Sequence, residues 1–187
     1  MESSCRTVID GAYLSDPAHA VRWRKTLEFL AGSSLSAGTL ASGLDLGDRT
    51  PFTALLEQHF GCTFDNTMVD LDLEPLSGCF GVVTAFEVLE HLYNPLYALL
   101  EIKRLLAGKD ARLFVSMPLW KPPVLASPDH FHEMTRHSAR LLFTRAGFTV
   151  LRSAEFRIRH PLFYLTGLKP LLRAWYEKVQ IYELAVR

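Results

Sequence analysis

The sequence predicts an α/β fold, a doubly wound and mostly parallel sheet with helices on both faces and an antiparallel last strand. Three observations predict it. Segments with strand-like apolar runs alternate with segments of helical periodicity, the pattern of parallel strands joined by crossover helices. Phe80-Gly-Val-Val-Thr-Ala-Phe86 is apolar on both of its faces, as only a strand covered above and below can be. The last two strand-like segments are separated by a Pro-containing apolar insertion and a helix, a connection that allows them to pair antiparallel.

The elements follow in order. Asp16-Pro17 is a cap and first helical position, and Ala20, Trp23, Leu27 and Leu30 recur at helical spacing until Gly32. Gly32 to Gly43, rich in Ser, Gly and Ala, is a connector. Leu40 to Leu46 holds the first strand, and Thr50-Pro51 opens a helix that stops at Gly61. Residues 62–70 suit one or two short strands, and Phe80–Phe86 is the next. Asn94-Pro95 then starts a helix with Leu96, Leu99, Leu100, Ile102, Leu105 and Leu106 inward and Gly108 at its cap. Ala111–Met117 is a strand. Thr135 caps a helix that turns Leu141 and Leu142 inward and ends at Ala146-Gly147, and strands follow at Phe148–Ile158 and about Val179–Val186.

The chain has 187 residues, 49% of them hydrophobic, enough to bury one core as a single domain. Its formal net charge is zero, which argues against a general nucleic-acid binder, and no nucleic-acid partner is expected. The charge is uneven. Residues 41–92 hold nine acids and one base, and from Arg152 onward seven bases face three acids, so the acidic centre suits a cationic ligand. Cys5, Cys62 and Cys79 lack the spacing of a disulfide framework or zinc site and read as reduced thiols. The N-terminus has no apolar core of a signal peptide, and no apolar run approaches the roughly 18 residues of a membrane span. A cytoplasmic protein is expected.

A family resemblance rests on several segments in order. Asp45-Leu-Gly47 lies in Gly43-Leu-Asp-Leu-Gly-Asp-Arg-Thr-Pro-Phe52, followed by Val69-Asp-Leu-Asp72 and by Phe86-Glu-Val-Leu-Glu-His-Leu-Tyr-Asn-Pro95. Lys103-Arg-Leu-Leu106, Phe114-Val-Ser-Met-Pro118, Asp129-His-Phe-His-Glu-Met134 and Ala146-Gly-Phe148 complete the series. Together these resemble the class I S-adenosylmethionine-dependent methyltransferases over roughly residues 40–158. The resemblance implies a Rossmann-like fold divided into an N-terminal helix and connector (1–39), a cofactor-binding core (40–158) and a C-terminal apolar insertion, helix and last strand (159–187).

The same resemblance implies S-adenosylmethionine as cofactor, held by Asp45, Gly47, Asp70, Leu71, Phe86 and Glu87. Asp70 or Asp72 would accept from the adenine amino group or a ribose hydroxyl. Beside this stand plainer readings: Asp70 and Asp72 as a solvated strand end, Phe86 as core, Glu87 as a surface acid and His91 as a brace at a helix start. His132 is the expected base or acceptor contact, with His130 and Glu133 as substrate residues; alternatively all three tie down their loop. The acceptor expected is small or lipid-like. Where the family carries its second and third glycines this chain has Arg49 and Pro51, and that departure supports the rival expectation of a non-catalytic methyltransferase-like binding or scaffold domain.

No metal is expected. His132-Glu-Met-Thr-Arg-His137 places its histidines five apart, whereas the zinc-binding helix motif needs four. Nor is there a Gly-x-Ser-x-Gly elbow or phosphate-binding loop. Pro161–Leu172, flanked by Arg157, Arg159, His160 and Arg173, is either packed over the sheet edge, a lid over an apolar substrate, a dimer face or a contact with an anionic membrane surface through 157–173.

Overall fold

The structure, a computed structural model, describes residues 17–35, 40, 42–159 and 161–187. The expected cap Asp16, residues 36–39 and Ala41 of the connector, Cys5 and His160 lie outside the described residues. Helix α1 (Pro17–Leu30) precedes strand β1 (Gly43–Asp45), helix α2 (Pro51–Phe60) and strand β2 (Phe64–Asn66). Strand β3 (Val82–Phe86), helix α3 (Pro95–Leu105) and strand β4 (Arg112–Pro118) form the middle. Helix α4 (Arg136–Ala146), strand β5 (Phe148–Phe156), helix α5 (Leu168–Tyr176) and strand β6 (Val179–Val186) complete the chain.

The six strands form one sheet in the order β2-β1-β3-β4-β6-β5. β1 runs parallel to β2 and β3, and β3 parallel to β4; β6 is antiparallel to both β4 and β5. β6 is therefore the one reversed strand, as the sequence predicts for the last. Successive side chains on a strand face opposite ways, and each side meets its own helices. Val83, Ala85, Leu113 and Val115 pack with Leu99 and Ile102 of α3 and Phe143 of α4. Val82, Phe114 and Ile181 pack with Phe29 and Leu30 of α1 and with Phe52, Leu56 and Phe60 of α2. Both faces of the central strands are dry, which is why Phe80–Phe86 reads as continuously apolar.

Several boundaries differ from the sequence reading. β1 has three residues and begins at Gly43, where a Cβ would stand 2.5 Å from the Phe64 ring. α3 stops at Leu105, before Gly108, because Leu106 turns extended to bridge Phe80. On α4 the buried set is Ala139, Phe143 and Ala146, with Leu142 partly buried. Leu141 points the other way and is exposed. Leu100 of α3 is exposed likewise, and buried Ala98 completes the inward face.

A buried ion network joins the end of α1 to β4, β5 and β6. Glu183 of β6 is buried, accepts from Ser33 Oγ at 2.7 Å and from Arg152 Nη1 at 2.9 Å, and lies 3.7 Å from Arg112 Nε. Arg152 also donates to the Phe29 carbonyl at 2.8 Å and lies over the Phe29 ring. The Ser33–Glu183 and Arg152–Phe29 bonds join segments more than a hundred residues apart in the chain.

Candidate functional site

The carboxyl ends of β1, β2 and β3 lie side by side, with Asp45 in register with Asn66 on one flank and Thr84 on the other. Asp45 is buried there. Its carboxylate accepts from Thr84 Oγ1 at 2.6 Å and from Thr53 Oγ1 at 2.8 Å. Thr53 also accepts from the Thr50 amide, closing the capping box at the start of α2, so Asp45 ties the strand end to the helix start. Burial outweighs these hydrogen bonds and raises the Asp45 pKa from its ordinary 3.8 to about 6.

Because the folded protein holds this proton more tightly than the unfolded chain does, protonated Asp45 stabilises the fold fully below about pH 4. That contribution is lost as the pH rises through 6. Asp45→Asn keeps the shape and never ionises, so it is expected to be more stable than the wild type at pH 8, on the order of 2 kcal/mol. Its advantage should vanish near pH 4. Thermal melts of both proteins at the two pH values check this; an unchanged difference would mean that Asp45 does not titrate as its burial dictates.

After Asp45 the chain turns at Gly47, whose φ of 102° lies in the left-handed half of conformational space. The Gly47 amide donates to Thr67 Oγ1 at 2.7 Å, and Asn66 Nδ2 reaches the carbonyls of both Asp45 and Gly47 at 3.2 Å. A Cβ built on Gly47 would meet no atom within 4 Å. Arg49 does not fill this space. Its guanidinium pairs with Glu57 at 2.6 and 3.2 Å and reaches the Phe64 carbonyl, along α2 and the edge strand.

Asp70 opens the turn after β2: its Oδ1 accepts from the Asp72 amide at 2.9 Å. Leu71 is half-buried against the core. Asp72 accepts from the Tyr93 and Asn94 amides at 3.0 and 2.7 Å, binding this loop to the start of α3. Phe86 ends β3 and packs edge-on against Phe52, on which Trp23 of α1 stacks. Glu87 follows at φ 55°, the one non-glycine residue with positive φ among the described residues. Its carboxylate accepts from Ser116 Oγ at 2.8 Å and lies 3.4 Å from Arg22 of α1. Among the expected cofactor residues, Asp45, Gly47, Phe86 and Glu87 thus share the strand ends, while Asp70 and Leu71 lie on the adjoining loop.

The loop after β4 folds back over the turn after β3. The Glu90 carbonyl accepts from the Phe131 and His132 amides at 2.8 and 3.2 Å. His132 Nε2 lies 3.3 Å from the Tyr93 carbonyl, and His130 Nδ1 lies 2.9 Å from Glu133 Oε1, which also takes Lys121 Nζ at 2.9 Å. Burial raises the Glu133 pKa, but the His130 and Lys121 hydrogen bonds outweigh it and hold the carboxyl below its usual range. Glu90 itself is fully buried, and burial, with Glu87 beside it, pushes its carboxyl well above the usual range.

Sequence reasoning missed Thr53, Asn66, Thr84 and Glu90. Thr84 is the one polar side chain in the otherwise apolar run Phe80–Phe86, and that was the available signal. Asn66 and Glu90 carried none, because their partners come from other strands and loops. Along the C-terminal insertion Leu162, Leu165, Leu168, Leu171 and Trp175 are exposed while Tyr164 is buried. Among the described residues no helix is long and apolar enough to cross a membrane.

A family described as "Methyltransferase domain" matches residues 17–153. No curated protein matches the chain. Among solved structures, the chain is similar to one from the complex between the Haloferax volcanii Trm112 methyltransferase activator and a candidate methyltransferase. That match has 15% identity and a TM-score of 0.62 over 90% of this chain and 91% of that one. N-methyltransferase NodS from Bradyrhizobium japonicum WM9, in complex with S-adenosyl-L-homocysteine, matches at 15% identity and a TM-score of 0.57 over 92% and 90%. The [4+2]-cyclase SpnF matches at 16% identity and 0.57 over 99% and 84%. At such identities the likeness establishes the fold.

Proposed function

This chain belongs to the methyltransferase-domain family, and from that premise we propose that it transfers the methyl group of S-adenosylmethionine to a small or lipid-like acceptor. The observation that carries the reading is the turn at Gly47, a left-handed glycine with open space beside it at the end of a strand pinned by a buried aspartate. There a backbone can approach a ligand closely. In this reading Asp45 and Gly47 serve the methionine half of the cofactor, Asp70 and Leu71 its ribose and adenine, and Phe86 and Glu87 the opposite wall. The strained φ of Glu87, kept by Ser116 and Arg22, supports a role for that position.

Methyl transfer asks chiefly for positioning, because the sulfonium is already activated and the acceptor needs only to be held in line with the methyl group. A base is required only where the nucleophile must lose a proton. His132 is the residue we assign to that task, with His130 and Glu133 as acceptor contacts on the same loop. Free Cys62 and Cys79 support a cytoplasmic setting. The second reading, a non-catalytic domain that has lost the cofactor, is favoured by Arg49 and Pro51 in the turn.

Isothermal titration with S-adenosylmethionine and S-adenosylhomocysteine separates the two. Micromolar binding is expected, weakened at least tenfold by Asp70→Ala, a loss of about 1.4 kcal/mol. A folded protein that binds neither ligand would transfer the argument to the non-catalytic reading.

A further inference from the structure

We propose that Glu90, His91 and His130 form a binding site for a divalent transition cation of the zinc class, distinct from the cofactor contacts assigned above. One ligand atom from each of the three lies within 4.8 Å of the others. Ligands at zinc bond lengths stand about 3.4 Å apart, so side-chain rotations that draw the three together by up to about 1.4 Å complete the set. A carboxylate and two imidazoles suit zinc and its transition-metal neighbours, whereas magnesium and calcium prefer oxygen alone.

A second, independent feature points to a ligand. Glu90 is fully buried, and neither of its carboxylate oxygens has a hydrogen-bond partner. Buried polar groups are nearly always paired, and a carboxylate that lacks any partner lies where a cation can supply one. The histidines are arranged to match. His91 Nδ1 lies 2.9 Å from the Asp129 carbonyl and His130 Nδ1 lies 2.9 Å from the Glu133 carboxylate. Both partners only accept, so each Nδ1 carries a hydrogen, and in the neutral ring Nε2 is the nitrogen that offers a lone pair. Backing of a ligand imidazole by a carbonyl or carboxylate fixes its tautomer and orientation in metal sites.

The scaffold is firm and the site is reachable. Phe131 and His132 amides hold the post-β4 loop on the Glu90 carbonyl, and His91 and His130 are each half-buried, leaving an entry from solvent. Three protein ligands leave a coordination position open, as in catalytic zinc sites. An oxygen of the methyl acceptor could take that position, and this extension alone rests on the methyl-transfer reading.

The test is calorimetric titration of the tag-free, chelator-treated full chain with zinc chloride in the absence of S-adenosylmethionine, so that it is independent of cofactor binding. One equivalent should bind with micromolar or tighter affinity, and magnesium at the same concentration should not compete. His91→Ala and His130→Ala should each weaken binding at least tenfold, while His137→Ala, on the exposed start of α4, should leave it unchanged. Cobalt in place of zinc should give a visible absorption band that His130→Ala abolishes. Absence of stoichiometric binding by the folded wild type, or loss no greater in His91→Ala and His130→Ala than in His137→Ala, would overturn the site. Should an alanine variant fail to fold, the shape-preserving Glu90→Gln decides: wild-type affinity in that variant rejects the proposal.

Discussion

Replacing Glu183 with alanine is expected to destabilise the protein by about 3 kcal/mol, because removing one member of a buried ionic network strands the others. Glu183 accepts from Ser33 and Arg152 and pairs ionically with Arg112. Its own side chain is 1% exposed, while Arg112 is 13% exposed and Arg152 is 34% exposed. Arg152 can recover some hydration after the substitution, which keeps the loss at the lower end of the range for such networks. Arg112 can recover less. Loss of the Ser33 bond also frees the chain that follows α1, so the variant should lose amide protection in α1 first. Denaturant unfolding monitored beside hydrogen exchange reads both effects. A destabilisation below about 1 kcal/mol, the size typical of exposed pairs, would mean that water reaches the network.

Gly47→Val is the second large effect, and it falls on the ligand more than on the fold. A β-branched residue at φ 102° is a steric outlier, and forcing it there costs roughly 1–2 kcal/mol. The turn relieves that strain by moving, and the new methyl groups enter the open space beside Asp45. Affinity for S-adenosylmethionine should fall at least a hundredfold, about 2.7 kcal/mol. Gly108→Val is the matching control: its φ is 94°, its surroundings are equally open, and it sits beyond α3. Both variants should lose similar thermal stability, yet only the first should lose affinity. Equal affinities in the two would remove Gly47 from the cofactor's surroundings.

The architecture was legible because its signals are local. Thr50-Pro51, Asn94-Pro95 and Thr135 mark helix starts by hydrogen bonds made within four residues. The dry run Phe80–Phe86 announces a covered strand. The antiparallel last strand followed from its connection. Leu141 and Leu142 show where local reading fails: adjacent leucines on a helix point about 100° apart, and only the position of the sheet says which turns inward.

Site residues divide along the same line. Asp45 and Gly47 stand out because strand, acid and glycine lie within five residues. Glu90 meets His130 only because two loops, forty residues apart in the chain, are clasped by backbone hydrogen bonds. No periodicity records such a meeting. Arg49 and Pro51 in the turn argue from sequence against an open cofactor edge, yet Arg49 lies along α2 and leaves the Gly47 side clear.

β6 lies between β4 and β5, which share no ladder of their own. A segment that follows both of its neighbours in the chain is therefore the inner seam of the finished sheet. Until residues 179–186 emerge, two strand edges stand unpaired on the nascent chain, and the β4–β6 ladder that closes one of them has the longest sequence separation of any ladder in the sheet. The β4 and β5 edges therefore close through a slow, non-local step, and until it occurs the bare edges invite pairing with other chains. Four strands can pair before β6 arrives, whereas β5 joins the sheet only through it.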